Sequence, residues 1–116
     1  MKYRHYAPNT KCKLVYSKDE NKQIEIINNF LEKNKNIVVL CFEEHKSKIS
    51  VRDENKISIG RKEHYEEIAQ KIYASLREAD SKNADLIIIE GVESKGLGVA
   101  IMNRLIRTCE YDFIYV

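Results

Sequence analysis

Two apolar runs, Ile37 to Phe42 (IVVLCF) and Asp85 to Glu90 (DLIIIE), constrain this chain more than any other feature. Each has the length of a β-strand, and neither alternates polar with apolar residues. A strand that is apolar at nearly every position is buried on both faces, as happens in the centre of a parallel sheet covered by helices. The rest of the sequence must therefore supply the covering helices and the outer strands.

It does so in alternation. Cys12 to Tyr16 (CKLVY) reads as a first strand, and Ser17 with Glu20 three residues on reads as a capping box. Ile24, Ile27 and Leu31 then repeat at helical spacing to about Asn34. Glu43 to Asn55 is polar and mixed, a loop with room for one short helix, and Lys56 to Gly60 (KISIG) is a shorter strand. The clearest helix runs from Tyr65 to Ala79. Ile68, Ala69, Ile72, Tyr73 and Leu76 form its apolar face, while Glu66, Glu67, Gln70, Lys71 and Arg77 form the opposite one. Gly91 to Gly98 is a loop, the helix after it carries Ile101, Met102, Leu105, Ile106 and Cys109, and Phe113 to Val116 ends the chain as a strand. This order predicts an α/β domain with a Rossmann-like, open, mainly parallel five-stranded sheet and helices on both faces. One core is expected for 116 residues. The sole proline, Pro8, separates a leader from the rest, giving a connector over 1–10 and a globular domain over 11–116.

Composition narrows the function classes. Cys12, Cys41 and Cys109 are odd in number and widely spaced, which argues against a disulfide framework or a thiolate zinc site and for buried, reduced thiols. The 20 basic and 18 acidic residues are spread along the chain, a solvated surface rather than the basic stripe that general nucleic-acid binding needs. The opening MKYRHYAPNT has no apolar stretch behind it, and no run approaches the roughly 18 to 20 apolar residues of a membrane span. A cytoplasmic protein with no membrane contact is the expectation.

Parallel α/β sheets bind ligands beyond the carboxyl ends of their strands. The loop after Glu90 holds Gly91, Gly96 and Gly98, so free amides at the following helix could receive an anion. The motif is incomplete. Ile101 stands where a dinucleotide fingerprint has its third glycine, and Leu97 where a P-loop requires lysine. Asp19, Glu20, Glu43 and Glu44 suggest a metal or phosphoacceptor pocket, but the third strand ends in Gly60 and Arg61 where that reading wants an aspartate. They are read instead as acids favoured at helix starts. His45 and His64 lack a second ligand at helical spacing and are expected at the surface. No metal site and no nucleophile with its base can be assembled from the spacing.

The leader is different in kind. Lys2, Tyr3, Arg4, His5 and Tyr6 combine three potentially cationic side chains with two aromatic ones, suited to phosphate oxygens and to closing over a nucleotide. The string Met1 to Pro8 (MKYRHYAP) resembles the interdomain linker of two-domain L-threonylcarbamoyl-AMP synthases, the Sua-type enzymes. Tyr73 to Asp80 (YASLREAD), Ala84 to Glu90 (ADLIIIE) and Gly96 to Leu105 (GLGVAIMNRL) are similar, in order, to signatures of that family's smaller C-terminal domain.

The resemblance implies that a larger YrdC-like catalytic domain, absent from this sequence, makes threonylcarbamoyl-AMP. It would use ATP with magnesium, L-threonine and bicarbonate, a nucleotidyl transfer that feeds the threonylcarbamoyl modification of adenosine 37 in tRNA. It further implies that Lys2, Tyr3, Arg4, His5 and Tyr6 lie toward that domain's cleft and gate it. On this reading the chain is an accessory or regulatory domain, without cofactor or catalytic residues of its own. Its partner is a catalytic domain in the same or a companion chain, and its link to tRNA is indirect. The alternative is a free-standing nucleotide- or anion-binding module that uses the Gly91 to Gly98 loop.

Overall fold

The computed structural model describes residues 8–116. Five strands form one sheet: β1 (Cys12–Tyr16), β2 (Ile37–Cys41), β3 (Lys56–Ser58), β4 (Leu86–Glu90) and β5 (Phe113–Tyr115). Their order across it is β3-β2-β4-β1-β5, and every pairing is parallel. Three helices connect them, α1 (Glu20–Lys33), α2 (Tyr65–Asp80) and α3 (Leu97–Thr108). The expected class is present, with a sheet that is parallel throughout.

The connection from β1 to β2 crosses the sheet in one direction, and those from β3 to β4 and β4 to β5 cross in the other. Right-handed crossovers therefore place α1 on one face and α2 with α3 on the opposite one. The pleat sorts the side chains accordingly. Val38 and Leu40 of β2 and Ile87 and Ile89 of β4 pack with Ile68, Leu76, Ile101 and Leu105. Ile37 and Val39 of β2 and Ile88 of β4 pack with Ile24 and Ile27 of α1. Each such large side chain contributes about 1.5–3 kcal/mol on full burial, so both faces carry a share of the stability.

Local differences from the sequence reading are small and have physical reasons. Asp19, not Ser17, caps α1: its carboxylate accepts from the amides of Asn21 and Lys22, while Ser17 Oγ accepts from the Asp19 amide at 3.1 Å. The polar stretch after β2 forms two short 3-10 helices, Glu43–Lys48 and Asp53–Asn55. The first of these buries Ile49 at its end against the α1 face. All three cysteines are buried free thiols. Burial and the Glu90 charge push the Cys41 thiol up to about 12, and the Cys109 thiol, hydrogen-bonded with Cys12 and buried, is also raised.

The chain enters the sheet at a fixed point. The Asp80 carboxylate, at the end of α2, accepts from the Asn9 amide at 3.1 Å and from the Thr10 amide at 2.9 Å. It also accepts from the Thr10 hydroxyl at 2.8 Å. This mooring lies at the amino ends of the strands, about 17 Å, one five-residue strand, from their carboxyl ends.

Candidate functional site

A cleft of about 330 Å³ opens beyond the carboxyl ends of β1, β2 and β4. It sits where the chain leaves β1 toward one face and β4 toward the other, the switch point at which open parallel sheets accommodate ligands. Tyr16, Ser17, Glu20, Gln23, His45, Lys62, Tyr65 and Glu93 are among the residues that line it.

The floor of the cleft is a buried polar network centred on Glu90, the last residue of β4. Its neighbours Ile87 and Ile89 point to the α2 and α3 face, so Glu90 points with Ile88 to the α1 face. There it is 0% exposed. Its carboxylate accepts from the Phe42 amide at 2.9 Å and from Gln23 Nε2 at 2.7 Å. His45 Nδ1 approaches the same carboxylate at 2.8 Å. Gln23 Oε1 in turn accepts from the Ser17 amide at 2.8 Å. One carboxylate thus ties together the segments that follow β1, β2 and β4.

His45 is the correction to the sequence reading: it is 1% exposed, not a surface residue. Its isolation in a polar stretch gave no sign of burial, because both of its partners are remote in sequence. Nδ1 faces Glu90 and Nε2 makes a short contact with the Glu20 carboxylate. A neutral imidazole donates through one nitrogen only, whereas ionised carboxylates accept only. The imidazolium satisfies both sides.

Burial works against that charge, but the hydrogen bonds and negative charges of Glu90 and Glu20 outweigh it and raise the His45 pKa. The His45 hydrogen bond, followed by Lys62, lowers the Glu20 pKa. Lys62 Nζ lies 3.3 Å from Glu20 Oε1. A line of alternating charge therefore runs from buried Glu90 through His45 and Glu20 to Lys62 at the rim. Glu20 is more than a helix-start acid.

The other sequence candidates fall as follows. His64 is exposed before α2. Asp19 caps α1, and Glu44 accepts from the Lys62 amide at 2.9 Å. In the Gly91 to Gly98 loop the glycines answer steric needs. A Cβ on Gly91 would stand 2.9 Å from Tyr16 Cβ, and one on Gly98 only 2.1 Å from the Glu93 carbonyl oxygen. Gly96 has φ +57° and ψ −131°, a conformation suited to glycine. Lys2, Tyr3, Arg4, His5 and Tyr6 lie outside the described residues. Among the described residues, no cluster of His, Cys, Asp and Glu is arranged to hold a metal ion, and no helix is long and apolar enough to cross a membrane.

Gln23 and Glu90 were not singled out in the sequence. The available signal was Glu90 itself, an acid closing a run otherwise buried on both faces.

Fold and cleft together define a Rossmann-like α/β domain with a cleft at the carboxyl edge of its sheet. The family model described as "Threonylcarbamoyl-AMP synthase, C-terminal domain" matches residues 1–109. The chain belongs to that family. It is 37% identical to the threonylcarbamoyl-AMP synthase of Pyrococcus abyssi, over all of this chain and 33% of that protein. It is 36% identical to the Bacillus subtilis one, over 92% of this chain and 30% of that protein. The chain thus spans about a third of the length of these relatives.

Among solved structures it is similar to P. abyssi Sua5 complexed with L-threonine, with a TM-score of 0.75 and 36% identity, covering 100% of this chain and 33% of that one. It is also similar to a C-terminal Sua5 domain from Pyrococcus horikoshii, with a TM-score of 0.65 and 30% identity, covering 95% of this chain and 100% of that one.

Proposed function

We propose that this chain is the accessory domain of a threonylcarbamoyl-AMP synthase, with residues 1–10 as its linker and 11–116 as its globular part. The observation that carries the reading is the match to the C-terminal family over residues 1–109, in relatives about three times as long. The catalytic domain, in the same or a companion chain, binds ATP with magnesium and performs the nucleotidyl transfer in the cytoplasm. tRNA meets the product rather than this domain.

Lys2, Arg4 and His5 supply positive charge toward the phosphates, and Tyr3 and Tyr6 close over the catalytic cleft. A closed lid keeps water from a labile mixed anhydride. One feature supports this division of labour: Asp80 moors Asn9 and Thr10, which gives a linker a fixed foot on the small domain.

The test has two parts. The isolated chain, given ATP, L-threonine and bicarbonate, releases no pyrophosphate and forms no threonylcarbamoyl-AMP; turnover by the pure chain overturns the accessory reading. In the joined enzyme, Arg4→Ala and Tyr6→Ala lower activity about tenfold or more, the loss of roughly one charged contact, at unchanged melting temperature. Unchanged kinetics in both variants removes the gating role.

A further inference from the structure

The loop between β4 and α3 spends its backbone inward. The Lys95 amide donates to the Glu93 carbonyl at 2.9 Å, the Gly98 amide to the Lys95 carbonyl at 2.9 Å, and the Val99 amide to the Gly96 carbonyl at 3.1 Å. Of the loop's residues, Gly91, Val92 and Glu93 line the cleft, and Glu93 is the one with a charged side chain. Its carboxylate is exposed and forms no ion pair or hydrogen bond among the described residues.

Two aromatic side chains, Tyr16 and Tyr65, line the same cleft. Both phenols are raised, first by burial and then by the Glu93 charge, so the carboxylate stands within electrostatic reach of each. Glu63 adds a second carboxylate at the wall, on a residue held at φ +67°.

The positive groups of the cleft are largely committed. His45 is held between Glu20 and Glu90, and Lys62 pairs with Glu20. Lys18 is exposed at the rim. The carboxylates of Glu93 and Glu63 at this wall are negative and share the cleft with two tyrosines, a combination suited to organic cations.

We propose that the cleft binds a small organic cation, an amine or guanidine, whose charged group sits against Glu93 between Tyr16 and Tyr65. The cavity matches the lower end of small-molecule sites, about 300 Å³. This assignment stands independently of the linker's role, because it concerns the opposite end of the domain from Thr10.

The probe is agmatine, a guanidine without a carboxylate, titrated into the 116-residue chain and followed by amide NMR. Saturable shifts are expected at Tyr16, Ser17, Tyr65 and Val92. Glu93→Gln should weaken binding at least about tenfold with an otherwise native spectrum, and Lys18→Ala should not weaken it. The peptide Gly-Gly-Arg-Gly-Gly, which offers the same group from a protein source, should bind at least about tenfold more weakly. Any one of four results overturns the proposal: no saturation by about 10 mM, beyond millimolar affinity; equal agmatine binding by Glu93→Gln; peptide binding as tight as agmatine; or AMP and pyrophosphate shifting these amides instead.

Discussion

His45 and Glu90 form a buried charged pair, 2.8 Å apart, that joins the end of the central strand β4 to the segment following β2. Removing one partner of such a pair leaves the other buried and uncompensated. His45→Gln retains a donor but not the charge and is expected to lose about 3 kcal/mol. Chemical denaturation of both proteins at neutral pH measures it. A loss below about 0.5 kcal/mol, the size of a surface substitution, contradicts the structural importance of the pair.

The same pair fixes the sign of the pH dependence. The His45 pKa is raised in the folded protein above its ordinary 6.5. Its contribution is therefore complete below 6.5 and is lost as pH rises through the folded value. Glu20 is lowered from 4.5, so its contribution is complete above that pH and is lost as pH falls through the folded value. The difference in stability between the native protein and His45→Gln should shrink as the solution becomes alkaline. A difference that grows with pH would mean the ring is neutral in the fold.

Asp80 is expected to govern the start of the ordered chain. Asp80→Ala removes the acceptor for Asn9 and Thr10 and should cost about 1–2 kcal/mol. Faster hydrogen exchange at the Thr10 amide, with exchange in β2 no more than uniformly shifted, is the accompanying signature.

Gly98→Ala tests the packing of the loop that carries Glu93. The added methyl would meet the Glu93 carbonyl oxygen at 2.1 Å, so the loop must move. A cost of about 1–3 kcal/mol is expected from the overpacking, read as a lower melting temperature, together with altered amide shifts at Val92 and Glu93.

The architecture was legible because its cause is local. Ile37 to Cys41 and Leu86 to Glu90 announce doubly buried strands by composition, and the spacing of Ile68, Ile72 and Leu76 announces a helix covering one face. The cleft network was not legible, since its members come from α1, the segment after β2, and β4. Gln23 and Glu90 lie 67 residues apart, and His45 and Glu90 lie 45 apart. Only the sheet order brings them together, and no periodicity in the sequence encodes that convergence.

The position of β4 has a consequence for how the domain comes into being. Of the strands present by the end of α2, β1 has no partner, because its neighbours are β4 and β5, and β2 can pair only with β3. A nascent chain emerging from the ribosome therefore holds two separate pieces of a sheet until residues Leu86–Glu90 arrive and close the gap between them. The sheet is joined from its middle, by the strand whose last residue also secures the cleft, before β5 adds at the edge beside β1.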